Sequence, residues 1–269
     1  MAVALPLAHE QALVIEGRHI LKGTLPTSPF LEEAAPFGTL TAPESFNGQN
    51  FADFLDLTNL KPQATSADIA ALCQKAKDMG AATVCINPSR LSFAVTLLKG
   101  TKTAPICVVG FPLGSTLPEA IAAEAKMAIA EGAQEIDMVQ NVGLLLEGDF
   151  LGVYQQIKTV VAAAGAVPVK VILETCKLND DEVVLASLIA ACAGAAFVKT
   201  STGFATDKRD DQPHIGATVQ RIRLMRLAVG DGVGVKASGG IKTAADATAL
   251  LQNGANRLGA SGLNTVDSY

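Results

Sequence analysis

One feature constrains this chain more than any other: from Phe51 onward, short apolar or β-branched runs alternate with longer amphipathic stretches. The runs fall at 51–58, 82–87, 105–110, 135–140, 168–175, 196–201, 232–238 and 256–261, each bounded by Gly, Pro or polar residues, as strands are. The stretches between them predict helices at about 66–80, 88–99, 117–132, 148–164, 179–193, 213–228 and 243–253. In 66–80, Ile69, Leu72, Cys73 and Ala76 recur at spacings of three and four, Ser66 reads as the N-cap and Gly80 as the stop. In 117–132, Pro118 suits the first helical turn and Gly132 the C-terminal end. Strand runs that are apolar throughout are what a parallel sheet covered by helices requires. Eight such units in roughly 220 residues predict an α/β fold, a closed (β/α)8 TIM barrel. An open doubly wound sheet is the structural alternative, but no GxGxxG follows the first run.

Residues 1–50 break the pattern. They are rich in Pro, Thr, Gly and Ser after a mildly apolar start, and read as an N-terminal extension with one short helix around Ala8–Ile20, leaving 51–269 for the barrel. Only eight residues follow Ser261, too few for a full eighth helix, and the extension is the segment expected to cover that gap. Apolar residues make up 49% and charged residues 17%, which supplies a core and excludes the disordered class. A net charge of −5 offers no basic footprint for nucleic acid, and the absence of Trp with only two Tyr leaves few surfaces on which bases stack. No window is long and apolar enough to span a membrane, and the first residues lack the basic start of a secretory signal. The five cysteines, Cys73, Cys85, Cys107, Cys176 and Cys192, are odd in number, scattered and without a CxxC pair. They read as inert buried thiols in a reducing compartment, the cytoplasm, rather than as disulfides or zinc ligands.

In such a barrel, chemistry sits at the C-terminal ends of the strands. Four ionisable residues are embedded there in otherwise apolar runs: Asp137 in EIDMV, Lys170 in VKVILET, Lys199 in FVKTSTG and Lys236 in GVKASGG. A lysine inside a parallel strand has no water, so its ammonium needs a partner. Lysines on neighbouring strands repel, and repulsion with partial desolvation favours the neutral amine. A neutral amine attacks an aldehyde or ketone, and the resulting iminium draws electrons from the adjacent carbon–carbon bond. Asp137 is suited to pair with a lysine and to move protons through a water. The competing reading is a purely structural ion-pair network. Three Gly-rich loops, TSTG (200–203), SGG (238–240) and GASG (259–262), follow the sixth, seventh and eighth strands. Any one of them is accounted for by a tight turn, but three adjacent loops point backbone N–H groups at an anion, and barrels frequently hold phosphate there.

Taken together, FVKTSTG, GVKASGG, EIDMV, VKVILET, VCINPSR and DLTNLKP resemble the signature set of the deoxyribose-phosphate aldolase family, in that family's order, across about residues 51–262. The resemblance implies that Lys199 forms the Schiff base, Lys236 depresses its pKa and Asp137 relays protons. It further implies a substrate pocket with Asp56, Thr58 and Cys85, a polar cluster including Lys170, and a phosphate held by Gly203, Gly239, Gly240 and Ser261; Thr200, in the same TSTG loop, joins the expected substrate-binding set. The implied reaction is reversible cleavage of 2-deoxy-D-ribose 5-phosphate to acetaldehyde and D-glyceraldehyde 3-phosphate, without metal or other cofactor. The implied partners are thus a small aldehyde and a sugar phosphate, and a homodimer is the default assembly for such a chain. Phe204 departs from relatives that carry a lysine after TSTG, GASG replaces GASS or GTSS, and the compact members lack the extension. Another Schiff-base aldolase of transaldolase or keto-acid type, and a silent sugar-phosphate-binding barrel, are the alternatives. His9, His19 and His214 lie in the extension or a polar loop and are not expected to act as bases. Tyr269 ends a tail leaving the active face, where a phenol over the site and a frayed terminus are both open readings.

Overall fold

The computed structural model describes residues 7–212 and 215–262. Helix α1 (Leu7–Lys22) precedes a repeat that runs β1 (Leu55–Asn59), α2 (Ser66–Met79), β2 (Thr83–Ile86), α3 (Leu91–Leu98), β3 (Ala104–Val109), α4 (Pro118–Ala130) and β4 (Glu135–Val139). It continues through α5 (Val142–Leu146), α6 (Phe150–Ala164), β5 (Val169–Ile172), α7 (Asp180–Ala193), β6 (Phe197–Lys199), α8 (Val219–Val229), β7 (Gly234–Ser238), α9 (Ala244–Gln252) and β8 (Arg257–Ala260). Every strand pairs in parallel with its sequence neighbour and β1 pairs with β8, so the sheet closes into the (β/α)8 barrel that the alternation predicts. Closure separates two environments by the two-residue period of each strand. On β5, Val169 and Val171 join the apolar layer under the helices, while Lys170 between them reaches the charged side chains of the lumen.

Local chemistry explains the elements and their departures from expectation. The N-cap of α2 is Thr65, not Ser66: the Thr65 hydroxyl accepts the Asp68 amide, and the Asp68 carboxylate accepts the Thr65 amide at 2.8 Å. Only Thr65 has a carboxylate three residues on, which completes a reciprocal capping box. Gly80 ends that helix in the left-handed conformation at φ 67°. Residues 51–54 form a 3-10 turn instead of the start of the first strand. Phe51 and Phe54 both stack against Phe46, with ring centroids 5.2 and 5.8 Å away, and residues three apart meet one partner on a helical turn, not on a strand. The helix expected from residue 213 starts at Val219, where the Thr218 side chain caps the Arg221 amide.

Helix α1 packs mainly against α7 and α8, so it does not take the place of a helix after β8. Fully buried Glu10 anchors it through a two-pronged pair with Arg223 at 2.6 and 2.9 Å. The chain then runs to the turn before β7, where the Thr39 amide and hydroxyl both donate to Asp231 at 2.7 Å. No helix among the described residues is long and apolar enough to cross a membrane.

Candidate active site

Four strands bring their charges to one point. Strand register sets Asp137 opposite Lys170, and Lys199 opposite Lys236, all facing the lumen. Asp137 Oδ1 accepts from Lys170 Nζ at 2.8 Å, and Asp137 Oδ2 accepts from both Lys199 Nζ and Lys236 Nζ, each at 2.8 Å. Below this lies a second set of pairs. Asp56 accepts from Arg257 at 2.8 Å and ion-pairs with Lys236, while Glu135 sits 2.5 Å from Lys170 and 3.3 Å from Arg257. The Arg257 guanidinium also lies over the Phe197 ring, 5.4 Å from its centroid. Asp56, Asp137, Lys170 and Lys236 are fully buried, and Lys199 is 3% exposed.

The three lysines differ in partners. Lys170 faces three carboxylates, Lys236 two and Lys199 one, which it shares with Lys236. Electrostatics set Lys199 apart from the other two. Burial pushes the Lys199 amine below the usual lysine value, and the neighbouring Lys236 ammonium adds to this, while Asp137 opposes without reversing it. For Lys236 burial acts in the same downward direction, but Asp137 and Asp56 outweigh it and hold the ammonium above the usual value. Lys170 is raised in the same way, against its own burial, by Asp137 and Asp56. Burial alone would lift Asp137, but Lys170, Lys199 and Lys236 hold it well below the usual carboxylate range. One amine is therefore biased toward the neutral form beside a second that is held charged.

Above this cluster opens a cleft of about 480 Å³ at the C-terminal ends of the strands. Lys199 is part of its lining, with Thr58 and the loops after β6, β7 and β8. Of the residues singled out in the sequence, Lys199, Thr58, Gly203, Gly239, Gly240 and Ser261 line the cleft, while Asp56, Cys85, Asp137, Lys170, Thr200 and Lys236 are buried away from its surface. Thr200 does not face a ligand space. Its hydroxyl donates to the Ser238 carbonyl and accepts the Ser238 amide, both at 2.9 Å, locking the loop after β6 to the one after β7. Cys85 is a fully buried thiol against Ile106 and Val108, pushed up to about 11 chiefly by burial. Gly239 adopts φ 85°, and a Cβ there would lie 3.0 Å from Gly216 Cα, so this position of the loop has little room for a side chain.

Sequence reasoning missed Lys61 and Lys242, which bring two cations to the cleft where Phe204 brings an aromatic ring packed edge-on against Phe111. Their only signal was position, just past the ends of β1 and β7. It also missed Glu135 and Arg257, although Glu135 stands two residues before Asp137 and so shares its face. His19 pairs with Glu33 at the surface and His9 lies on α1, remote from the cleft lining; His214 and Tyr269 lie outside the described residues. Among the described residues, no group of three or more His, Cys, Asp and Glu side chains is placed to hold a metal ion.

The chain has relatives among known proteins and solved structures. A family model described as "DeoC/LacD family aldolase" matches residues 52–265. The chain is similar to the deoxyribose-phosphate aldolase of Thermoanaerobacter sp. (strain X514), 47% identical over 224 residues that cover 82% of this chain and 97% of the relative. That of Aciduliprofundum boonei is 48% identical over 218 residues, covering 80% and 94%. Among solved structures, the tetrameric deoxyribose phosphate aldolase from Aeropyrum pernix superposes with a TM-score of 0.71 at 29% identity, covering 95% of this chain and 94% of its own. A crystal structure from Coccidioides immitis gives a TM-score of 0.77 at 37% identity, covering 96% of both chains. The coverage of these two structures extends into the segment before Phe51. The chain belongs to the DeoC/LacD aldolase family.

Proposed function

We propose that this chain is a class I aldolase that reversibly cleaves 2-deoxy-D-ribose 5-phosphate to acetaldehyde and D-glyceraldehyde 3-phosphate, with Lys199 as the Schiff-base residue. The observation that carries the reading is the contrast among the three lysines: Lys199 alone of them lines the cleft, has one carboxylate partner and is shifted toward the neutral amine. In this reading the free amine adds to C1 of the open-chain sugar, and loss of water leaves an iminium. A base takes the C3 hydroxyl proton, the C2–C3 bond breaks, and its electron pair flows to the iminium nitrogen as an enamine. The three-carbon aldehyde phosphate leaves. Protonation of the enamine carbon and hydrolysis release acetaldehyde and restore the amine. Asp137, bonded to Lys199, Lys236 and Lys170, is the residue that exchanges protons with the site, directly or through a water. Lys236 remains charged and keeps Lys199 from being so. The glycine-rich loops at Gly203, Gly239–Gly240 and Ser261, with Lys61 and Lys242, receive the phosphate.

Borohydride trapping tests this directly. Incubation with acetaldehyde and reductant, followed by peptide mass mapping, is expected to place the ethyl adduct on Lys199. An unmodified Lys199, or an adduct confined to Lys236, overturns the assignment. Turnover of 2-deoxyribose 5-phosphate against unphosphorylated deoxyribose then tests the phosphate loops. A homodimer as the smallest assembly and a cytoplasmic setting complete the reading, the latter supported by the five free cysteines; light scattering on the purified protein checks the former.

A further inference from the structure

Glu174 lies two residues beyond β5, at the active end of the barrel, and among the described residues it is the one non-glycine with positive φ, at φ 55°, ψ 59°. Such a conformation is unfavourable for a residue with a Cβ and persists where surrounding bonds impose it. Those bonds run to the loop that follows Lys199. The Thr202 amide donates to both Glu174 carboxylate oxygens, at 3.2 and 3.4 Å, and the Thr202 hydroxyl makes a short bond to Glu174 Oε2. The same Thr202 oxygen accepts the Phe204 amide at 3.0 Å. The rest of the turn supports the same loop: the Thr175 amide donates to the Thr200 carbonyl at 2.9 Å, and the Arg209 amide to the Cys176 carbonyl at 3.0 Å.

Of three successive amides in the cleft wall, the Thr202 and Phe204 amides are thus occupied, while Gly203 makes no hydrogen bond to another described residue. We propose that Glu174 is a positioning residue for the substrate's phosphate: by fixing Thr202 it uses up the flanking amides and leaves the Gly203 N–H aimed into the cleft as a donor for the anion. This rests on the reading above that the loop after β6 receives a phosphate.

The experiment compares wild type, Glu174→Ala, Glu174→Gln and Thr202→Val. Each is assayed for kcat and KM on 2-deoxyribose 5-phosphate and on unphosphorylated deoxyribose, and for borohydride trapping with acetaldehyde. For Glu174→Ala, KM for the phosphate ester is expected to rise roughly tenfold, with kcat, the unphosphorylated sugar and trapping changed less than about twofold, as for loss of one charged hydrogen-bonding group that acts on the anion alone. Glu174→Gln keeps a carbonyl acceptor for the Thr202 amide and should rescue part of the loss. Thr202→Val frees the Phe204 amide and should show the same split, which keeps the test alive if Glu174→Ala fails to fold. Equal losses on both sugars, or no loss on either, overturn the role of Glu174. If wild type itself shows no preference for the phosphate ester, the reading of the site fails, and this inference with it.

Discussion

The barrel lumen has two unlike walls. Strands β2 and β3 line it with Cys85, Ile106 and Val108, an apolar patch continued by Leu60. The strands from β4 round to β1 line it with Glu135, Asp137, Lys170, Lys199, Lys236, Arg257 and Asp56. The apolar wall offers little to solvate a charge, so the ionised wall must satisfy itself from within. It nearly does, with three carboxylates facing four cations, and the shortfall falls on Lys199, the residue nearest the opening. A reactive amine here is the leftover of an otherwise balanced set.

The contrast breaks most decisively at Lys199. Lys199→Leu is expected to lower turnover by roughly a thousandfold or more, since no other lysine of the buried cluster opens to the cleft. Its melting temperature should be unchanged or raised, because an under-partnered ammonium gives way to an apolar side chain. Turnover near wild type would remove the basis of the proposed mechanism. Next in size is Asp137→Asn, which strips three buried lysines of a shared anion and is expected to cost about 3–5 kcal/mol in urea unfolding. The sign with pH follows from the shifts. Asp56 and Asp137 titrate below the usual range when folded, so their contribution is fully present above the unfolded carboxylate value of about 3.9 and is lost as pH falls through the folded values. Lys170 and Lys236 are raised, so theirs is fully present below about 10.4 and is lost as pH rises through the folded values. Lys199 runs the other way, costing stability while it is protonated. Melting curves of Asp137→Asn should therefore show a weaker acid dependence than wild type.

Lys236→Leu sharpens the comparison by removing repulsion without removing the nucleophile. A drop in turnover of about a hundredfold near neutrality is expected, with the acid limb of the kcat/KM profile moved to higher pH as Lys199 regains its proton. An unmoved limb would mean burial alone tunes Lys199. The smallest effect belongs to the apolar wall: Ile106→Val should cost about 1 kcal/mol and leave the pH profile in place. A limb displaced there as far as in Lys236→Leu would erase the distinction between the walls.

The lumen charges were legible because a single lysine or aspartate in the middle of an apolar run has no solvent explanation, which is how Asp137, Lys170, Lys199 and Lys236 stand out. Glu135 and Arg257 carry the same information but begin their strands, where a polar residue reads as a boundary. Lys61 and Lys242 sit in polar loops and differ in no local way from solvated lysines; only closure of the barrel brings them to one cleft. Glu174 falls inside a run predicted as extended, 168–175, and its left-handed bend is imposed by bonds to a loop 28 residues away. The extension's helix was visible as a segment, but its anchor to α8, the Glu10–Arg223 pair, is one that no periodicity announces.

The order of charges along the chain divides the barrel in two. Strands β1 to β4 contribute Asp56, Glu135 and Asp137 to the interior, whereas β5 to β8 contribute Lys170, Lys199, Lys236 and Arg257. Severed between β4 and β5, the polypeptide would yield an acidic fragment and a basic one, each unable to neutralise itself. The two pieces, made separately, should be drawn into complementation by the same opposite charges that the intact barrel conceals.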